Sequence, residues 1–251
     1  MITLASDFGT PYPAAMRGVI CQRTDARIED IAHDFPRQNV RTAAFWLTQT
    51  LPYFPPAVHC VVVDPGVGTD RDAVVVRADD HALVAPDNGV VLPAARELAD
   101  TVEVFTWAYD DPASSTFHGR DVFAPAAAAV HDAGVDALGD LDRTTPTDDY
   151  ADLRFPTAET DDDGATGEVL VVDGFGNVVT NIPGSVLEGR FGDTVRVDGE
   201  SVPVRRAYAA LDPGERLVTV GSHGNVELAV NRGRGDEAFG VGVGDPVSLS
   251  L

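Results

Sequence analysis

Val58-His59-Cys60-Val61-Val62-Val63-Asp64-Pro65-Gly66-Val67-Gly68-Thr69-Asp70-Arg71 is the stretch on which the fold turns. Val58 to Val63 is a continuous, largely β-branched run that reads as a strand, and Asp64-Pro65-Gly66 ends it. On its N-terminal side, Ile2 to Ser6 is a second short apolar strand that stops at Asp7-Phe8-Gly9. Ala14 to Cys21 looks helical. Gln38 to Leu51 places Val40, Ala43, Ala44, Leu47 and Leu51 at helical spacing. On its C-terminal side, Ala73 to Arg77 and His81 to Ala85 read as strands and Pro93 to Asp100 as a helix. Thr101 to Phe105 then reads as a strand and Ala-rich Asp121 to Ala133 as a helix. Strands alternating with helices predict an α/β layered domain with a substantially parallel sheet.

From about residue 140 the texture changes. Asp140 to Asp163 is rich in Asp, Thr and Pro and reads as a connector. Beyond it lie short β-type runs at Gly167–Asp173, Val178–Ile182, Thr194–Val197, Leu217–Val220, Val226–Val230 and Pro246–Leu251, with no helix between them. The expected organisation is an α/β domain over residues 1–155 and a small all-β barrel over residues 165–251.

Composition narrows the function. The chain has 251 residues, 44% of them hydrophobic, which excludes a disordered chain. No stretch approaches the roughly 20 apolar residues of a membrane span, so no membrane partner is expected. The N-terminus lacks the basic region of a signal peptide. Net charge is -22, and all 18 basic residues are Arg. Without Lys there is no Schiff-base chemistry and no P-loop of the usual kind. A surface this acidic also argues against nucleic-acid binding. Asp-rich and Lys-free, it suits high salt, where repulsion is screened, and predicts a halophilic cytoplasm. Cys21 and Cys60 read as small hydrophobes in a reducing compartment, and none of the six His falls in a zinc-binding spacing, so neither a metal nor a cofactor is expected.

Ligands of open α/β sheets bind beyond the carboxyl ends of strands, where Asp7 and Asp64 stand. Each is also able simply to cap a turn. Arg71 lies seven residues after Asp64, across a Gly- and Pro-rich loop, close enough to fold back onto its carboxylate. His118, in Ser115-Thr116-Phe117-His118-Gly119-Arg120-Asp121, sits in a polar loop before the Ala-rich helix. In the β half, Asp173-Gly174-Phe175-Gly176-Asn177 offers a Phe able to stack on a flat ring, or equally a Phe tucked into the core. Gly221-Ser222-His223-Gly224-Asn225 and Ala229-Val230-Asn231-Arg232-Gly233 are further polar loop edges.

These segments together resemble the DUF62 family of S-adenosylmethionine (SAM) hydrolases, or SAM hydroxide adenosyltransferases, relatives of fluorinase and chlorinase. The resemblance runs through Asp7-Phe8-Gly9, Met16-Arg17-Gly18, Ile28-Glu29-Asp30-Ile31-Ala32-His33 and Gln38-Asn39-Val40. It continues through Val62 to Thr69, Pro86-Asp87-Asn88-Gly89, Thr116 to Asp121, Phe175-Gly176-Asn177 and Ala229 to Gly233. It implies hydrolysis of SAM to adenosine and L-methionine by attack of water or hydroxide at C5′, without a cofactor. It implies a homotrimer with each site at a subunit interface. The family's Asp-Arg-His set falls on Asp64, Arg71 and His118, and its ribose-binding acid on Asp7. Its adenine and methionine contacts fall on Asp173, Phe175, Asn177, Ser222 and Asn231. Where fluorinases carry an Arg for the methionine carboxylate, this chain has His223. Two alternatives stay open: a halide-dependent enzyme making 5′-chloro-5′-deoxyadenosine, and a non-catalytic adenosine- or SAM-binding protein.

Overall fold

The computed structural model describes residues 1–251 and divides into two compact units, Met1–Arg154 and Phe155–Leu251. Unit 1 contains strands β1 (Ile2–Ser6), β2 (Ile28–Ala32), β3 (Val58–Val62), β4 (Ala73–Ala78), β5 (His81–Pro86), β6 (Val102–Trp107) and β7 (Thr144–Pro146). Its helices are α1 (Tyr12–Cys21), α2 (Val40–Thr50), α3 (Leu92–Leu98) and α4 (Ala124–Ala133). The strands form one sheet in the order β2-β1-β3-β5-β4-β6-β7.

Neighbours β2-β1-β3-β5 are parallel, whereas β4 runs antiparallel to both β5 and β6, and β6 to β7. The sheet is therefore mixed: the expectation of a substantially parallel sheet holds for β2-β1-β3-β5 and is corrected for β4, β6 and β7. The reason is local: only Asp79 and Asp80 separate β4 from β5, and so short a link permits a hairpin but no crossover. A second correction concerns the helix expected from Asp121. Residues Gly119–Phe123 form a π-helical segment, and α-helical geometry begins at Ala124. The connector also holds β7, which extends the edge of this sheet.

Alternation along the strands splits the buried side chains between two faces. Ile2, Leu4, Val58, Cys60 and Val62 pack with Met16 and Ile20 of α1, with Phe123, and with the alanines of α4. Leu4, Met16, Ile20 and Phe123 are fully buried, each contributing about 2 kcal/mol by removal from water. α2 and α3 pack on each other and cover the opposite face, where Phe54, just beyond α2, meets the ring of His59 edge-on. Asn39 caps α2 by accepting from the Thr42 N–H at 2.9 Å.

Unit 2 contains β8 (Glu159–Asp161), β9 (Gly164–Val172), β10 (Val178–Pro183), β11 (Thr194–Val197) and β12 (Glu200–Pro203). It continues with β13 (Arg216–Val220), β14 (Asn225–Val230), the short helix α5 (Gly235–Phe239) and β15 (Pro246–Ser250). The strand order is β12-β11-β15-β9-β10-β14-β13, with β8 paired to β9. Strand β9 serves both halves, pairing through Gly164–Glu168 with β15 and through Val169–Val172 with β10. The two ends of this path meet where Val204 bridges Val218 and the Arg205 N–H donates to the Val218 carbonyl at 3.0 Å. The sheet thus curls almost into a barrel around Val169, Val178, Ile182, Leu187, Val218, Leu228 and Leu249. α5 corrects the expectation of a helix-free second half. No helix of either unit is long and apolar enough to cross a membrane.

One polar thread crosses the unit 1 sheet. Thr3 Oγ1 meets His59 Nδ1 at 2.7 Å, and His59 Nε2 meets His81 Nδ1 at 2.9 Å with the rings stacked. Burial pushes His59 down from 6.5 to about 3, reinforced by His81. Burial also lowers His81, against the pull of Asp80 and Asp79. A histidine neutral in the fold and protonated when unfolded contributes its stability above pH 6.5, and that contribution falls as pH drops from there toward 3. The expected outcome is a loss of up to about 1.4 kcal/mol per pH unit beginning near pH 6, above the range where carboxylates titrate. Urea titrations from pH 7 to pH 4 measure it, and His59→Gln flattens the upper part of the decline. An unchanged profile in that variant contradicts the assignment.

Candidate active site

Asp7 and Asp64 follow adjacent parallel strands whose last register pair is Ser6 with Val62, so both acids stand at the carboxyl edge of the sheet. Each is 8% exposed. Asp7 Oδ2 accepts from the Gln38 N–H at 2.6 Å. Gln38 has φ +58°, an unusual conformation for a residue with a side chain, and it aims this N–H just before Asn39 starts α2. Asn88 fixes the exit of β3 by donating from Nδ2 to the Val63 carbonyl at 2.8 Å.

Arg71 does fold back onto Asp64. Its Nε donates to Oδ1 at 2.9 Å and to Oδ2 at 3.1 Å, and Nη2 also donates to Oδ2. The same Nη2 lies 2.9 Å from His118 Nδ1, and the guanidinium carbon stands 5.0 Å from the Phe123 ring centre. The loop is built to allow this return. Thr69 Oγ1 donates to the Gly66 carbonyl at 2.7 Å, and Gly68 takes φ +79°. A Cβ on Gly68 would stand 2.6 Å from the Ser115 carbonyl oxygen, so this glycine lets the Asp64–Arg71 loop lie against the loop that carries His118.

His118 is 4% exposed, with Tyr109 edge-on to its ring at 6.0 Å. It is therefore more enclosed than its polar sequence neighbourhood suggests. Burial lowers its pKa, the Arg71 charge lowers it further, and Asp64 and Asp121 act against them. Arg71 offers only donors, so Nδ1 is the acceptor and the proton of the neutral ring sits on Nε2. The segment that presents His118 is braced by its own ion pair. Arg120 donates to Asp121 at 2.6 and 2.8 Å, while Asp121 Oδ2 accepts from the Ser114 N–H at 2.9 Å. At Gly119 a Cβ would come within 2.9 Å of the Phe8 ring, so the π-helical turn closes against the residue after Asp7. Asp64, Arg71 and His118 thus form one connected cluster, and Phe123 beneath it is a neighbour the sequence did not single out.

The unit 2 candidates divide differently. Asp173 organises its own turn, Oδ1 accepting from the N–H groups of Phe175 and Asn177 at 2.8 Å each, and Oδ2 from Asn177 Nδ2 at 3.0 Å. Phe175 is 81% exposed at the tip, which decides against the core-packed alternative. Ser222 lies in the β13–β14 turn. In the β10–β14 register Val178 pairs with Leu228 and Pro183 with Asn225, so the Asp173–Asn177 and Ser222 turns lie at opposite ends of that pairing. Side chains span the gap: Tyr208 Oη donates to Glu227 Oε1 at 2.6 Å and lies 3.5 Å from Asn177 Nδ2, while His223 Nε2 is 3.3 Å from Glu227 Oε2. His223 is turned inward onto this acid. Asn231 donates from Nδ2 to the Leu211 carbonyl at 2.7 Å, bracing the loop before β13. Tyr208 and Glu227 carry no local motif: Tyr208 comes from the turn before β13, and Glu227 stands opposite Val179 in the β10–β14 pairing.

This architecture and its motifs have clear counterparts. Residues 2–139 match the model of the SAM hydroxide adenosyltransferase N-terminal domain, and residues 167–248 that of the C-terminal domain. A protein of Salinispora tropica named (R)-S-adenosyl-L-methionine hydrolase is 40% identical over 257 residues, covering 99% of this chain and 97% of its own. A protein of the same name from Thermus thermophilus is 40% identical over 265 residues, covering 97% of each. The crystal structure of an uncharacterized conserved protein from Thermotoga maritima superposes with a TM-score of 0.86 at 34% identity over 100% of both chains. With both domain models matched in order and relatives of this identity over nearly the whole length, the chain belongs to the SAM hydroxide adenosyltransferase family.

Proposed function

We propose that this protein hydrolyses SAM to adenosine and L-methionine, with the Asp64–Arg71–His118 cluster acting on the nucleophile. The observation that carries the reading is this cluster: a buried carboxylate, a guanidinium and a neutral imidazole joined by hydrogen bonds at the carboxyl edge of the sheet. The reaction breaks the C5′–S bond of a sulfonium and releases a neutral thioether, so the leaving group needs no acid. What it needs is a water held in line with that bond. Arg71 pins the plane of the Asp64 carboxylate by a two-pronged contact. Asp64, the one anion of the set, accepts the water's proton. The neutral His118 ring, its Nδ1 already engaged by Arg71, directs an Nε2–H at the water and fixes its orientation.

Asp7 binds the ribose diol in this proposal, one carboxylate oxygen being steadied by Gln38. Phe175 supplies a face for the adenine, and Asn177, Ser222, Asn231 and the Asp173 turn complete the contacts. We extend the substrate to the (R) epimer at sulfur, for which the relatives are named. We further propose a homotrimer in which the α/β residues of one subunit and the β residues of another serve the same SAM. The resemblance to the family and the division of the candidate residues between two units support that assembly.

In ¹⁸O-labelled water, adenosine labelled at the 5′-oxygen is the expected product, and from SAM epimerised at sulfur the (R) form is consumed first. Mass spectrometry and chiral chromatography read both outcomes. Unlabelled adenosine, or 5′-chloro-5′-deoxyadenosine formed in chloride, contradicts the proposal. Asp64→Ala, Arg71→Ala and His118→Ala are each expected to lower kcat at least about 100-fold, the scale of a positioned proton-transfer group. Steady-state kinetics check this, and near wild-type rates in all three place the chemistry elsewhere. Mixing inactive Asp64→Ala and Asn177→Ala chains, after dissociation and reassembly, is expected to restore activity. Mixed oligomers as inactive as either parent contradict the shared site.

A further inference from the structure

His33 ends the Ile28–His33 motif and has no part in the chemistry proposed above, yet it holds the loop that carries Asp7 from both sides. Its Nδ1 lies 2.8 Å from Ser6 Oγ, and Ser6 immediately precedes Asp7 and is fully buried. Its backbone carbonyl accepts from the Gly9 N–H at 2.7 Å, two residues after Asp7. The far edge of the ring faces Asp30, Nε2 standing 3.2 Å from Oδ1. Asp30 is in turn gripped by Arg17 Nη2 at 2.6 Å, and Arg17 Nη1 donates to the Ile28 carbonyl at 3.1 Å. The chain Arg17–Asp30–His33–Ser6 thus runs from α1 through β2 to the last residue of β1.

The backbone register explains why such a brace is needed. β1 and β2 pair regularly from Ile2 with Ile28 to Leu4 with Asp30, but Ala5 pairs with Ala32, so the ladder is broken just before Ser6 and Asp7. From that point the β2 side steadies the strand end through His33 rather than through a regular ladder.

We propose that His33 is a positioning residue for Asp7: its ring and carbonyl set the backbone on which the ribose-binding carboxylate is mounted. The inference rests on the role given to Asp7 above. A residue of this kind changes substrate binding alike in ground and transition states, so it moves KM more than kcat.

The test compares His33→Ala, His33→Asn, Asp7→Asn and the double variant His33→Ala/Asp7→Asn, with KM and kcat for SAM, adenosine affinity by calorimetry and Tm for each. His33→Ala is expected to raise KM and weaken adenosine binding about tenfold, the scale of one lost hydrogen bond at a binding group, with kcat changed less than about threefold. Asn places an amide atom near the position of Nδ1, so His33→Asn recovers most of the loss. In the Asp7→Asn background, removing His33 adds little further loss, because its effect passes through Asp7. A fall in Tm with KM and adenosine affinity unchanged makes His33 merely structural and overturns the inference. So does a full additional loss in the Asp7→Asn background. If the wild-type protein neither turns over SAM nor binds adenosine, the proposed function and this inference fall together. If it does both and His33→Ala leaves them unchanged, this inference alone falls.

Discussion

The buried Arg71–Asp64 contact organises the candidate site of the α/β unit. One guanidinium makes a two-pronged contact with the Asp64 carboxylate, donates to His118 Nδ1 and to the Asp72 carbonyl, and stands over the Phe123 ring. It thereby ties the loop after β3 to the π-helical turn before α4. Lys does not replace it, because a point charge lacks the planar fork that meets carboxylate and imidazole at once. Both side chains are largely removed from water, so losing either partner leaves a buried charge unpaired, at a cost of about 3–5 kcal/mol. The exposed ion pairs differ in kind. Arg143–Asp110 and Arg27–Glu29, for example, lie at the surface, where such pairs contribute little.

The enclosure of the cluster shapes its chemistry. A water-exposed imidazole would exchange tautomers freely, but His118, buried and held by a pure donor at Nδ1, keeps its proton on Nε2. In the proposed mechanism the Asp64 carboxylate is then the proton acceptor, a division of labour the residue types alone leave open. The acids at the ends of β1 and β3 are fixed by different means, Asp64 by a side chain and Asp7 by the Gln38 backbone, and Gln38 adopts a left-handed conformation to provide that N–H.

What the sequence reveals depends on how local the cause is. The strand ending at Asp64 and the return of Arg71 are legible because valines, Pro65 and two glycines act within fourteen residues. The contact of Arg71 with His118 spans 47 positions, and no spacing rule announces it; the resemblance to a family does. The reversal of β4 was written in the two-residue Asp79–Asp80 link. Likewise Asp198-Gly199, both at positive φ, makes the tight turn that pairs polar β12 with β11, although β12 itself shows little apolar pattern. The π-helical turn at Gly119 has no sequence signature, and the close approach of Phe8 and Met16 to Gly119 is made by residues more than 100 positions away. Candidate residues in unit 2 were legible as polar turns, but their link through Tyr208 and Glu227 depends on the β10–β14 register and on the turn that carries Tyr208.

The central claim is that the Asp64–Arg71–His118 cluster faces the carbon that reacts, while Asp7 holds the sugar. A crystal structure of the protein with adenosine and L-methionine bound tests it most directly. The account predicts the adenosine 5′-hydroxyl within hydrogen-bond distance of the Asp64 carboxylate and His118 Nε2, with both ribose hydroxyls on Asp7. A nucleoside bound with its 5′-carbon directed away from Asp64, or with its ribose on residues other than Asp7, contradicts it.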